Sequence, residues 1–119
     1  VSLLIAAVIV WGTWSLFRQS LHLLFDGVPE GVDLHAVHSL LQGLPGVAQV
    51  HDLHVWAMGT NETALTAHLV MPAGGGDDAF LKHATDELHE HFEIRHVTLQ
   101  VVREAFCEGC AGPAPPAAR

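Results

Sequence analysis

Residues 1–17, VSLLIAAVIVWGTWSLF, contain no charged side chain. A helix that crosses a bilayer needs about 20 apolar residues, with a lower bound near 17. The run then continues amphipathically through Arg18, Leu21, Leu24 and Phe25. Two structures satisfy such a pattern: the last part of a membrane helix running out into water, or a helix buried in a soluble core. No basic stretch precedes the run, which disfavours a signal peptide. Trp11 and Trp14 followed by Arg18 match an interfacial aromatic anchor with a positive flank. The membrane reading is therefore preferred, with the lipid bilayer as a partner and the remaining residues on the cytoplasmic side.

The chain is too apolar to be disordered, since half of its 119 residues are hydrophobic and only 15% are charged. The formal charge of −8, with only five Lys and Arg, excludes a nucleic-acid partner, because a phosphate backbone is bound mainly by clustered basic residues. Ten histidines, twice the number of basic residues, point instead toward divalent metal ions, for which neutral imidazole is a common ligand.

Local signals divide the chain into a membrane-helix end over residues 1–25, a linker over 26–32, a domain over 33–104 and a tail over 105–119. The linker DGVPEGV holds two glycines and a proline, which break a helix. Asp33 can cap a helix with Leu34, Val37, Leu40 and Leu41 at helical spacing, ending near Gly43. QVHDLHVWAM and TALTAHLVM read as strands joined by a GTNE turn, hence an antiparallel hairpin. Asp77 or Asp78 caps a second helix whose stripe is Leu81, Ala84, Leu88 and Phe92, and HVTLQVV reads as a third strand. The order helix, strand, strand, helix, strand predicts an α+β domain with two helices on one face of a three-stranded sheet. Domains of about 60 residues bury only about 60% of their unfolded surface, so a partner chain would add stability. The tail GPAPPAAR is Pro- and Ala-rich.

Within the first strand, HDLHVW places histidines three apart. Strict alternation puts His51, Leu53 and Val55 on one face and Asp52, His54 and Trp56 on the other. It also sets His68 of the second strand opposite Asp52, or opposite His54 after a shift of register. Either pairing gathers imidazole and carboxylate, donors that suit a borderline divalent ion such as zinc. Taken singly, each reads first as an ordinary surface or edge-strand histidine, and it is their conjunction that favours a site. His83 and Glu87, at i and i+4 on the second helix, either join such a site or form a solvated stripe; for His89 and His91 the stripe is preferred.

Cys107 and Cys110 form a CEGC pair whose spacer lets both thiolates reach one tetrahedral ion. The sequence holds no second pair, so either other ligands complete the site or the thiols have no fixed role. A lone pair this close fits a reducing compartment better than a disulfide framework.

The run LFDGVPEGVDLHAVHSLLQGLPGVAQVHDLHVWAMGTNETALTAHLV, with HVTLQV after it, resembles the cation diffusion facilitator family of zinc, cobalt and cadmium exporters. The resemblance covers residues 1–102, the end of that family's sixth transmembrane helix and its cytoplasmic C-terminal domain. It implies a metallochaperone-like (ferredoxin-like) fold, a homodimer, and a place in a membrane, the bacterial inner membrane for a bacterial chain. By motif position it implies His51, His68 and, as in some members, His83 as ligands for zinc, cobalt or cadmium. His54 falls in the pattern with a less uniform role, and Cys107 and Cys110 match relatives whose tail thiolates join the site. The family often closes its last strand with Q-x-E, whereas here Gln100 is followed by Val101 and Val102. The intramembrane transport site of the family is not among these residues, so the chain is expected to be a fragment of a transporter or its regulatory end. The implied function is to dimerise and to sense cytoplasmic metal, regulating proton-coupled export. The alternative is a membrane-tethered metal buffer. No nucleophile, base and oxyanion set can be assembled from the motifs, so no enzyme activity is expected.

Overall fold

Asp33 and Asp77 start the two helices of the domain, each in extended backbone with its carboxylate accepting from an N–H of the first turn: His35 N at 2.8 Å and Phe80 N at 2.9 Å. Such caps satisfy donors that have no partner inside the helix. The computed structural model describes residues 1–104. They form α1 (Ser2–Leu24), α2 (Leu34–Gln42), β1 (Gln49–Ala57), β2 (Thr63–Val70), α3 (Asp78–Phe92) and β3 (His96–Val102). The expected α+β order is found, with β3 occupying the residues read from the sequence. The expected tail and its CEGC motif lie outside the described residues.

The sheet order is β1-β2-β3, with β1 antiparallel and β3 parallel to the central β2. Leu65, Ala67 and Leu69 of β2 point to one face, where they meet Val37 and Leu41 of α2 and Ala84 and Leu88 of α3. Both helices therefore cover the same face, and Ile94 and Met71 close the core at its ends. The α3 stripe runs through Phe80, Ala84, Leu88 and Phe92. β2 donates its other alternate positions, Ala64, Thr66, His68 and Val70, to the face without helices.

β1 departs from strict alternation. His51 pairs with His68 and His54 with Thr66, so that two residues, Asp52 and Leu53, stand against Ala67 alone. This is a β-bulge. Asp52 takes up the extra residue with a left-handed φ of 47°, a conformation that Asp tolerates better than most side chains because its short polar group can bond locally. Val50, Leu53 and Val55 consequently pack on the core while His51 and His54 both face away from it. The expectation that His51 shares a face with Leu53 and Val55 is thus corrected, and so is the pairing of His68 with Asp52 or His54. The extra residue reverses the face of everything on one side of it.

α1 is the one helix among the described residues long and apolar enough to cross a membrane. Its 23 residues would span roughly 35 Å at about 1.5 Å per residue, against a hydrocarbon core of about 30 Å. It buries no residue against the domain among the described residues.

Candidate metal centre

The sheet face opposite the helices carries the candidate donors from the strands. In one row across the three strands lie His51, His68 and Gln100, because His51 is the register partner of His68 and His68 that of Gln100. The bulge turns Asp52 toward this same face, where its Oδ2 lies 3.4 Å from Nδ1 of His68. Both side chains are partly open to solvent, at 37% for His68 and 32% for Asp52. His51 is oriented from its own strand, with Nε2 and the Gln49 side-chain oxygen 3.0 Å apart. The side-chain oxygen of Gln49 accepts, so Nε2–H donates, and in a neutral imidazole that leaves Nδ1 as the nitrogen with the lone pair. A hydrogen bond from the second ring nitrogen is the usual way a ligating imidazole is held in orientation.

These donors, two imidazoles and a carboxylate from adjacent strands, are the set a zinc-type ion accepts. Among the described residues, however, no three His, Cys, Asp or Glu side chains converge as a finished metal-holding group. Register thus brings two imidazoles and one carboxylate to neighbouring positions, and a tetrahedral ion would need side-chain adjustment or further ligands.

Of the other candidates, His54 stays on the open face, exposed, one row further along, beside Thr66. His83 is exposed on α3, which packs on the opposite face of the sheet, so the two strand histidines and His83 are not brought together within one chain. Glu87, expected as its i+4 companion, instead meets His91, with Nε2 and Oε2 3.3 Å apart. Cys107 and Cys110 lie outside the described residues. One pair escaped the sequence reading: His96 on β3 lies 3.7 Å from Glu62 of the hairpin turn. The signal was present in the period-two spacing of His96, Thr98 and Gln100, which puts His96 on the open face with His68.

Comparison with known proteins places this geometry. The chain is 36% identical to the metal cation efflux system protein CzcD of Cupriavidus metallidurans over 101 residues, covering 84% of this chain and 32% of that protein. It is 29% identical to a proton-coupled zinc antiporter of Mus musculus over 114 residues, covering 92% of this chain and 31% of the antiporter. The chain thus spans about a third of the length of these relatives. Among solved structures, the metal-bound C-terminal domain of the CzcD transporter matches with a TM-score of 0.55 at 35% identity, covering 60% of this chain and 99% of that domain. Residues 29–104 match the family described as cation efflux protein, cytoplasmic domain, and the chain belongs to the cation efflux family.

Proposed function

We propose that this chain is the C-terminal part of a zinc-type efflux transporter, in which α1 crosses the membrane and the α+β domain lies in the cytoplasm, dimerises and senses the exported metal. The observation that carries the reading is the row of His51 and His68 with Asp52 beside it, built on adjacent strands of the face that no helix covers. The metal-bound state of a similar C-terminal domain supports it, as do the transporter names of the curated relatives. In this reading His51, Asp52 and His68 hold zinc, cobalt or cadmium as three of its ligands. A symmetry mate across the open face, or Cys107 and Cys110, complete the sphere. The role is binding and not catalysis, and proton-coupled export belongs to the whole transporter.

Regulation would follow from linkage. A metal ion that binds one arrangement of two protomers better than another shifts the population toward it, by no more than its difference in affinity for the two. Trp56, half-buried on the open face, gives a second chain apolar surface to cover, at about 25 cal/mol per Å². Small-angle scattering of the chain in detergent tests the reading: the domain pair should be more compact with zinc than with chelator. Equal dimensions in both states, or a monomer in both, would leave a membrane-tethered metal buffer as the better account.

A further inference from the structure

The joint between α1 and the domain is closed by one imidazole. α1 ends in a Schellman-type turn: Gly27 N bonds to the carbonyl of His22 at 3.1 Å and Asp26 N to that of Leu23 at 3.4 Å, with Asp26 left-handed at φ 48°. In such turns a side-chain contact between the residue three from the helix end and the second residue beyond it commonly seals the motif. Here Gly27 has no side chain to offer, and the His22 ring lies over its backbone instead. A Cβ on Gly27 would lie 2.4, 2.6 and 2.8 Å from three atoms of the His22 ring, closer than carbon contacts allow, so only glycine admits the ring. From that seat His22 Nε2 reaches the carbonyl of Val28 at 2.7 Å. The carbonyl can only accept, so Nε2–H donates. One side chain thereby ties the last turn of α1 to Val28, the first residue beyond the turn.

Among the described residues, little else holds that angle. α1 buries no residue, and its last turns face the domain across an open cleft of about 940 Å³. Arg18, Gln19 and His22 line it from the helix, and Asn61, Glu62 and Arg95 from the domain.

We infer that His22 is a positioning residue, a latch that fixes the direction of α1 relative to the metal-binding domain, with Gly27 as its seat. The inference goes beyond metal binding and stands whether or not the open face holds an ion. A rigid joint is what would carry a change in the domain to the helix, because a loose one would absorb it.

The test is a spin-label distance measurement on the whole chain in detergent, with labels at Ser20→Cys on α1 and Ala79→Cys on α3 in a Cys107→Ser, Cys110→Ser background. Both labelled positions are exposed and outside the cleft. The parent should give one narrow distribution. His22→Ala should at least double its width, Gly27→Ala should do the same by displacing the ring, and His22→Gln, which keeps an N–H donor, should recover part of the narrowing. Circular dichroism should show the domain folded in every variant, since His22 is not a member of the buried core. An unchanged width in His22→Ala would overturn the inference. So would a parent distribution already broad, or a His22→Ala domain that no longer folds, because His22 would then support the domain and not the joint.

Discussion

His51 and His68 stand directly opposite one another across the antiparallel β1–β2 ladder, on the sheet face that the helices leave open. Residues so paired have Cβ atoms about 4.5–5.5 Å apart, near enough for both rings to turn toward one ion. Replacing both, His51→Ala with His68→Ala, is expected to lower zinc affinity at least tenfold, about 1.4 kcal/mol. Titration calorimetry on the chain in detergent decides it. Wild-type affinity in the double variant would remove the strand site.

Asp52 serves two ends that substitution can separate. Its left-handed φ of 47° is freely available to glycine, so Asp52→Gly should leave the thermal midpoint within a few degrees while weakening metal binding. Asp52→Val keeps neither property, since a β-branched residue in that conformation costs roughly 1–2 kcal/mol. Its midpoint should fall visibly. Equal stability in the two variants would show that the bulge does not persist in solution.

Metal affinity should also depend on pH. A ligating imidazole must be deprotonated, so protons compete with the ion. Affinity is expected to fall as pH is lowered from about 7.5 to about 5.5, across the range where histidine ordinarily titrates. Binding constants measured at the two ends would expose the trend. A flat profile would point to carboxylate or thiolate ligands.

On α3, two substitutions five residues apart should behave oppositely. Leu88 is fully buried between the helices and the sheet, and Leu88→Ala should cost about 2–5 kcal/mol, as for other buried leucines cut to alanine. His83 is exposed on the side of α3 away from the core, so His83→Ala should change stability by less than about 0.5 kcal/mol. It should leave zinc affinity near that of the wild type as well. Urea unfolding with calorimetry measures both quantities, and a tenfold loss of affinity in His83→Ala would return that residue to the ligand set.

Removal of residues 105–119 should leave the fold in place. The last strand ends at Val102, and its residues bond to β2, as does Met71 N to the carbonyl of Val102 at 2.8 Å. A chain ending at Glu104 should therefore keep the far-ultraviolet dichroism and midpoint of the full chain, with any loss confined to metal affinity. A truncated chain that unfolds would make the tail part of the core.

Much of the fold depends on local chemistry and was therefore legible in the residues themselves. Asp33 and Asp77 cap helices through bonds that reach two or three residues. The Gly59–Asn61 region turns a hairpin between two β-rich runs, and the apolar spacing of α2 and α3 marks their buried stripes. The uncharged run at residues 1–17 likewise announced a long apolar helix. The candidate site was legible only as a set of donors. Which face His51 occupies depends on how many residues separate it from Val55 along the pleat, and one extra residue at Asp52 reverses the answer without altering the composition of the strand. The spacing of Val50, Leu53 and Val55, three and then two, is the one trace of that bulge in the sequence. The separation of His83 from His51 and His68 was set by neither strand nor helix alone but by the face of the sheet on which α3 packs. That choice is made by burial of Leu65, Ala67 and Leu69 against Ala84 and Leu88, contacts between segments far apart in the chain, which no local pattern records.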